Sequence, residues 1–416
     1  MTRGIRRGDL GRAVTCLVAL VALAAGAAGR GGPPQDVEKS PPASHGLPPA
    51  EIHDLFPAET ITFPAAAPLM LLNETKCDLK GNIYIVQSAS PPSLLGQFNG
   101  LSAIPVSKLS IDSKSTSAYR VPSLDGYRGV VRFDFDVGGD GQLYALLEAL
   151  DSSDMKNQEP SFFVAKYDDD GSVDSYFKLG KAPEGRMQPF RLAMFRDGNV
   201  LVTGTLVSGG PLRPFIAVLD RAGTFVTYVK VSDDIRDAKK PAVGSRNRGP
   251  RGEDQTASAK GRDSEASESE SDLAVNLSSS SLMVSAPDDN IYLLRGTTRP
   301  QVHVISSAGE VIREFEVPTP ARGLTATNMG MAGSDRIFIS FGHVQGASKG
   351  GSDSSDPSNL ISLINPQTGE VSATYRLKDD TAAFDVPGCA ASYYNFLFVG
   401  TTADHQHLQA TRYLLH

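Results

Sequence analysis

The chain has 416 residues, 40 glycines, 27 prolines, no tryptophan and a formal net charge of −7. That acidic balance argues against nonspecific nucleic-acid binding, which needs clustered positive charge. The length is ample for one large domain with its own core.

The first residues carry an export pattern. Arg3, Arg6, Arg7 and Arg12 precede a short run of Ala, Leu and Val over 15–28, in which Ala25, Gly26 and Ala27 are small. This is the layout of a secretory signal, predicted over residues 1–29. Its removal takes four arginines and Asp9, so the net charge falls to −10. No later segment approaches the ~20 apolar residues that cross a bilayer, so no membrane span is expected after cleavage. The expected location is extracytoplasmic, either periplasmic or secreted. Residues 30–58, rich in Pro, Ala and polar types, read as a disordered linker.

From residue 59 to 416 one cassette returns. A polar or Gly-containing turn precedes a short strand of β-formers: Asp78-Leu-Lys-Gly81-Asn-Ile-Tyr-Ile-Val86, Gly139-Asp-Gly141-Gln-Leu-Tyr-Ala-Leu146 and Arg196-Asp-Gly198-Asn-Val-Leu-Val-Thr203. Asp288-Asp-Asn290-Ile-Tyr-Leu-Leu294, Ser334-Asp-Arg336-Ile-Phe-Ile-Ser340 and Tyr394-Asn395-Phe-Leu-Phe-Val399 continue it. In four copies a strand, a turn with Gly (171, 223, 309, 369) and a return strand follow, the Gly standing where positive φ is favoured. Four short antiparallel strands per unit make a propeller blade. The anchors at 81, 141, 198, 290, 336 and 395 count six blades. A β-sandwich would not repeat one cassette in order six times. The Asp-x-x-Gly-Asn-Ile-Tyr-Ile stretch at 78–85 and the other strand–Asp-x-x-Gly–strand stretches resemble NHL-repeat and related six-bladed propellers. That resemblance implies architecture and not function, because propellers host binding, scaffolding and several chemistries.

The 92-residue gap between the third and fourth anchors holds a charged, Ser- and Gly-rich insertion over 233–280, basic first and acidic later, which is expected to be disordered. The last blade lacks a fourth strand, and the isolated strand 59–63 is predicted to supply it and close the ring. Cys77 and Cys389 are the two cysteines beyond the signal. They fall near the inner strands of the first and last blades and are candidates for a disulfide.

Candidate site residues follow from blade geometry. Arg128, Arg186 and Arg322 precede their anchors by 13, 12 and 14 residues, which places them in blade-to-blade loops at one mouth of the channel. Arg132, Asp134 and Arg191 are expected on inner strands nearby. Guanidinium groups around a concave mouth suit an anionic small molecule, a glycan or an acidic protein partner; the alternative is ordinary solvated arginine. His343, His405 and His407 are weak metal candidates in second-to-third-strand loops, and a channel Ca or Zn is the cofactor to look for. Asp168-Asp-Asp170 and Asp288-Asp289 are read as turn residues that satisfy local amides. No hydrolase, phosphate-loop or zinc-finger motif is present. The sequence therefore points to an exported, noncatalytic propeller that binds or scaffolds. The alternative is a propeller enzyme, a lactonase-like hydrolase or a lyase, with a metal in its channel.

Overall fold

A computed structural model describes residues 51–63, 70–88, 105–153, 159–208, 212–231, 282–296, 300–321, 323–343, 359–378, 386–392, 395–402 and 407–415. The expected signal, the insertion over 233–280 and residues 30–50 lie outside these.

The described chain is built of strands. Two come first, β1 (Ile52–Leu55) and β2 (Pro57–Phe63). Blade 1 follows as β3 (Met70–Cys77), β4 (Ile83–Ser88), β5 (Val106–Ser110) and β6 (Ser115–Tyr119). Blade 2 holds β7 (Tyr127–Val137), β8 (Leu143–Asp151), β9 (Pro160–Tyr167) and β10 (Val173–Lys178). Blade 3 holds β11 (Arg186–Met194), β12 (Val200–Val207), β13 (Arg213–Leu219) and β14 (Phe225–Tyr228). Blade 4 holds β15 (Leu282–Ser285), β16 (Ile291–Arg295), β17 (Gln301–Ile305) and β18 (Val311–Glu316). Blade 5 holds β19 (Leu324–Ala332), β20 (Arg336–His343), β21 (Asn359–Ile364) and β22 (Val371–Leu377), and blade 6 holds β23 (Val386–Ser392), β24 (Asn395–Thr401) and β25 (Leu408–Leu414). Within each blade the strands pair antiparallel in chain order. This is a six-bladed β-propeller with four-stranded blades.

The sequence explains the placement. Second strands such as Ile83-Tyr-Ile-Val and Ile291-Tyr-Leu-Leu are apolar at every position, because both faces are covered. Ile83 and Ile85 pack with blade 6, whereas Tyr84 and Val86 pack with blade 2. Outer strands alternate instead: β18 reads half-buried, exposed, half-buried along Val311–Glu316. Six apolar clusters result, one per seam: blades 1–2, 2–3, 3–4, 4–5, 5–6 and 6–1. The first strands touch one another in a closed cycle around the axis. Turn glycines sit where predicted. Gly171 has φ 86°, and a Cβ there would lie 2.7 Å from the Ala118 carbonyl of the next blade. Turn aspartates cap their own loops: Asp170 Oδ1 accepts from Ser172 N at 2.9 Å, and Asp288 accepts from Asn290 N and from the Tyr292 hydroxyl.

Ring closure follows the predicted scheme. β2 pairs antiparallel with β25, Thr60 opposite Thr411 and Phe63 opposite Leu408, as the fourth strand of blade 6. The linker expectation needs one correction. Residues 52–55 are not linker: β1 pairs parallel with β22 as a fifth strand on blade 5. Leu55 buries in the seam between blades 5 and 6, and Asp54 pairs with Arg376 and Lys378 at 3.8 and 3.6 Å. Only Phe56 separates β1 from β2, so one short segment bridges the outer edges of two blades.

Candidate functional site

The inner strands all begin at one end of the channel and finish at the other, and the two ends differ in chemistry. The described arginine candidates start from the first end. Arg128 is the second residue of β7, and Arg186 the first of β11. They were expected in loops; the structure instead seats both on the opening turns of inner strands. Side-chain acceptors of β7 meet backbone donors of β11 with a constant offset of 58, as in Asp134 to Leu192 and Asp136 to Met194. Between these contacts and the strand starts β7 has two bulged residues and β11 one, so Arg128 and Arg186 stand within about one residue of the same level on adjacent strands. Arg186 lies 4.0 Å from the exposed Glu159. It also faces Glu148 on β8, whose carboxyl is pushed up by burial and held back by the Arg186 charge. The Nε of Arg128 is buried without a hydrogen-bond partner.

Below them, a bulge in β7 between Arg132 and Asp134 sets side-chain direction. A bulge turns successive side chains to the same side and so reverses the alternation beyond it. Arg132 therefore points to the blade 1–2 seam, its guanidinium 6.0 Å from the Phe135 ring and close enough to Tyr167 to oppose the upward shift of that phenol to about 12. It is buried there, on the inner strand expected for it. Asp134 and Asp136 point the other way, to blade 3. Asp134 accepts from Arg191 Nη1 at 3.1 Å and from Leu192 N at 2.8 Å. Arg191 is thus on its expected inner strand, paired across the seam.

The far end of the inner strands holds a group that sequence reasoning missed. Asp136, 2% exposed, accepts from Ser285 Oγ at 2.7 Å and from Met194 N at 2.9 Å. Lys76 Nζ lies 3.6 Å from Asp136 Oδ1 and donates to the Met283 carbonyl at 2.6 Å. Burial raises the Asp136 carboxyl, with Lys76, Ser285 and Met194 opposing the rise. One carboxylate thus joins blades 1, 2, 3 and 4. Beside it is a cavity of ≈ 60 Å³ lined by Lys76, Asp136, Ser285, Met329, Phe338 and the buried Thr75, well under the ~300–1,000 Å³ of small-molecule sites. The local signal was two carboxylates inside an apolar strand, Phe-Asp-Phe-Asp-Val; Lys76 and Ser285 had none.

The remaining candidates divide. Cys77, the last residue of β3, is disulfide-bonded, and β3 packs on β23, the strand that carries Cys389. His343 ends β20. His407 is exposed just before β25, and its amide donates to Thr402 Oγ1. Arg322 and His405 lie outside the described residues. Among the described residues no three His, Cys, Asp or Glu side chains converge as metal ligands, and no helix is long and apolar enough to cross a membrane.

Comparison with known proteins supports the fold alone. No family model matches the sequence, the NHL repeat included, and no curated protein matches it either. Among solved structures, a protein of unknown function from Dyadobacter fermentans superposes with a TM-score of 0.51 at 11% identity, over 88% of this chain and 100% of that one. A calcium-binding regucalcin from Agrobacterium tumefaciens gives 0.42 at 7% identity, over 88% and 97%. An α-L-arabinanase from Penicillium chrysogenum gives 0.40 at 10%, over 86% and 98%.

Proposed function

We propose that the chain is an exported propeller that binds an anionic partner, either an acidic glycan or small molecule or an acidic protein segment, at the Arg128–Arg186 end of its channel. The observation that carries this reading is the Arg128 guanidinium, whose Nε is buried with no acceptor. A buried donor left unpaired costs ~1–3 kcal/mol, and an incoming carboxylate or sulfate relieves that cost. The inner-strand acids nearby do not serve, since Asp134 is engaged by Arg191 and Leu192 N. Arg186 adds a second fork at the same level, in a molecule that is otherwise acidic. Export is supported by the N-terminal pattern and by the bonded state of Cys77, which suits an oxidising compartment. Cys389 is the partner we assign to it, on the strand that packs against β3.

The test is retention of the protein on polygalacturonate and on poly-glutamate. The double variant Arg128→Gln/Arg186→Gln should elute at lower salt than the unaltered protein, and an unchanged elution would reject the site.

A second reading, a propeller hydrolase or lyase, rests on Glu148. Its carboxyl is raised by burial beside Arg186, as suits a general acid. Stoichiometric calcium or zinc in the purified protein, or ester or glycan turnover lost in Glu148→Gln, would favour this reading over simple binding.

A further inference from the structure

The seam order places blade 4 diametrically across the axis from blade 1. Lys76 belongs to blade 1, yet its Nζ reaches the Met283 carbonyl of blade 4 at 2.6 Å. We propose that the narrow end of the channel is an ammonium-binding site whose occupant is the chain's own Lys76, and that this side chain is a crossbar closing the channel.

The acceptors have the chemistry of a cation cage. A neutral carbonyl from blade 4 makes the short bond, and a carboxylate from blade 2 stands 3.6 Å away. The Asp136 carboxylate is held in place by Ser285 Oγ and Met194 N from two further blades, so the cage is aimed before the cation arrives. Ser285 Oγ also accepts from Met194 N at 3.1 Å, which fixes its hydroxyl toward Asp136. A compact ammonium on a flexible stem fits acceptors arranged this way; the planar guanidinium fork of Arg does not. Burial strengthens the arrangement, because a charge out of water is tolerated only when paired and hydrogen-bonded. Two consequences follow. The channel is blind at this end, so a ligand at the Arg128–Arg186 end enters and leaves by the same mouth. An outside primary alkylammonium ion is the ligand class the cage accepts once the Lys76 side chain is cut back.

Two measurements test this independently of anion binding at the other end. Reductive methylation of the unaltered protein, mapped by mass spectrometry, should modify Lys76 several-fold more slowly than the exposed Lys80, and the two rates should converge in urea. Lys76→Ala should melt several degrees lower. Ethylammonium chloride should restore that loss beyond the effect of sodium chloride at equal ionic strength, with no such preference in the unaltered protein or in Lys76→Ala/Asp136→Asn. Should Lys76→Ala fail to fold, Lys76→Met, which keeps the stem, should fold, melt lower and gain nothing from ethylammonium. Methylation of Lys76 at the Lys80 rate, equal rescue by the two salts, or full stability of Lys76→Met would each overturn the crossbar.

Discussion

The two ends of the channel place charge on inner strands in opposite ways. At the narrow end every charge is answered within the ring: Asp136 by Lys76, Ser285 and Met194, and Lys76 by the Met283 carbonyl. At the Arg128–Arg186 end Arg128 keeps a buried nitrogen unsatisfied, and Arg186 stands 4.0 Å from the exposed Glu159 and beside Glu148. A satisfied buried network stabilises and orients; an unsatisfied one is a cost that a ligand can remove. The difference separates a structural end from a binding end of the same six strands.

Breaking the narrow end should cost most. Asp136→Ala removes the common acceptor of three blades and strands Lys76, so the unfolding free energy should fall by about 3–5 kcal/mol. The urea midpoint should drop with an unchanged m-value. Next comes the Cys77 bridge, which lies in the lining of the same cavity. With Cys389 as partner it closes almost the whole ring, and its reduction should cost about 2–5 kcal/mol. Free-thiol titration of denatured, unreduced protein should find none, and two reactive thiols would exclude that pairing.

Acidity should sharpen the contrast next. The folded Asp136 carboxyl titrates above its unfolded value of 3.8, so the folded state binds that proton first. Stability of the unaltered protein relative to Asp136→Asn should therefore rise as pH falls through the folded value toward 3.8, with a limiting slope of about 1.4 kcal/mol per pH unit between the two values. The opposite slope in thermal melts would contradict the burial of this group. The smallest stability effect belongs to the Arg128–Arg186 end. Arg128→Gln removes the unpaired buried nitrogen, so it should not lower the unfolding free energy and should raise it by about 1 kcal/mol, while weakening retention on acidic polymers. A large loss of stability there would mean that Arg128 is structural and that the contrast fails.

The comparison also marks how far the sequence could be read. Blades were legible because their second strands are apolar on both faces and their turns need Gly or Asp at set places, as at Gly171 and Asp288. β2 was legible because blade 6 visibly lacked a strand. β1 was not: four residues carry no periodicity, and their pairing with β22 exists only because the ring brings blade 5 beside blade 6. Arg128 and Arg186 were placed at the correct end by counting back from their anchors. Arg132 was placed on its inner strand, but the direction of its side chain was not legible, because a bulge between Arg132 and Asp134, invisible in the pattern, turns the two to opposite sides.

Local chemistry, then, determined strand identity, turn positions, blade number and the closing strand, since each depends on alternation and on residues able to turn the chain. Only the tertiary structure decided which side chains share the axis. Lys76, Asp136, Met194 and Ser285 are separated by up to 209 positions in the chain; a carboxylate buried among them is tolerated solely because four blades converge to supply its donors.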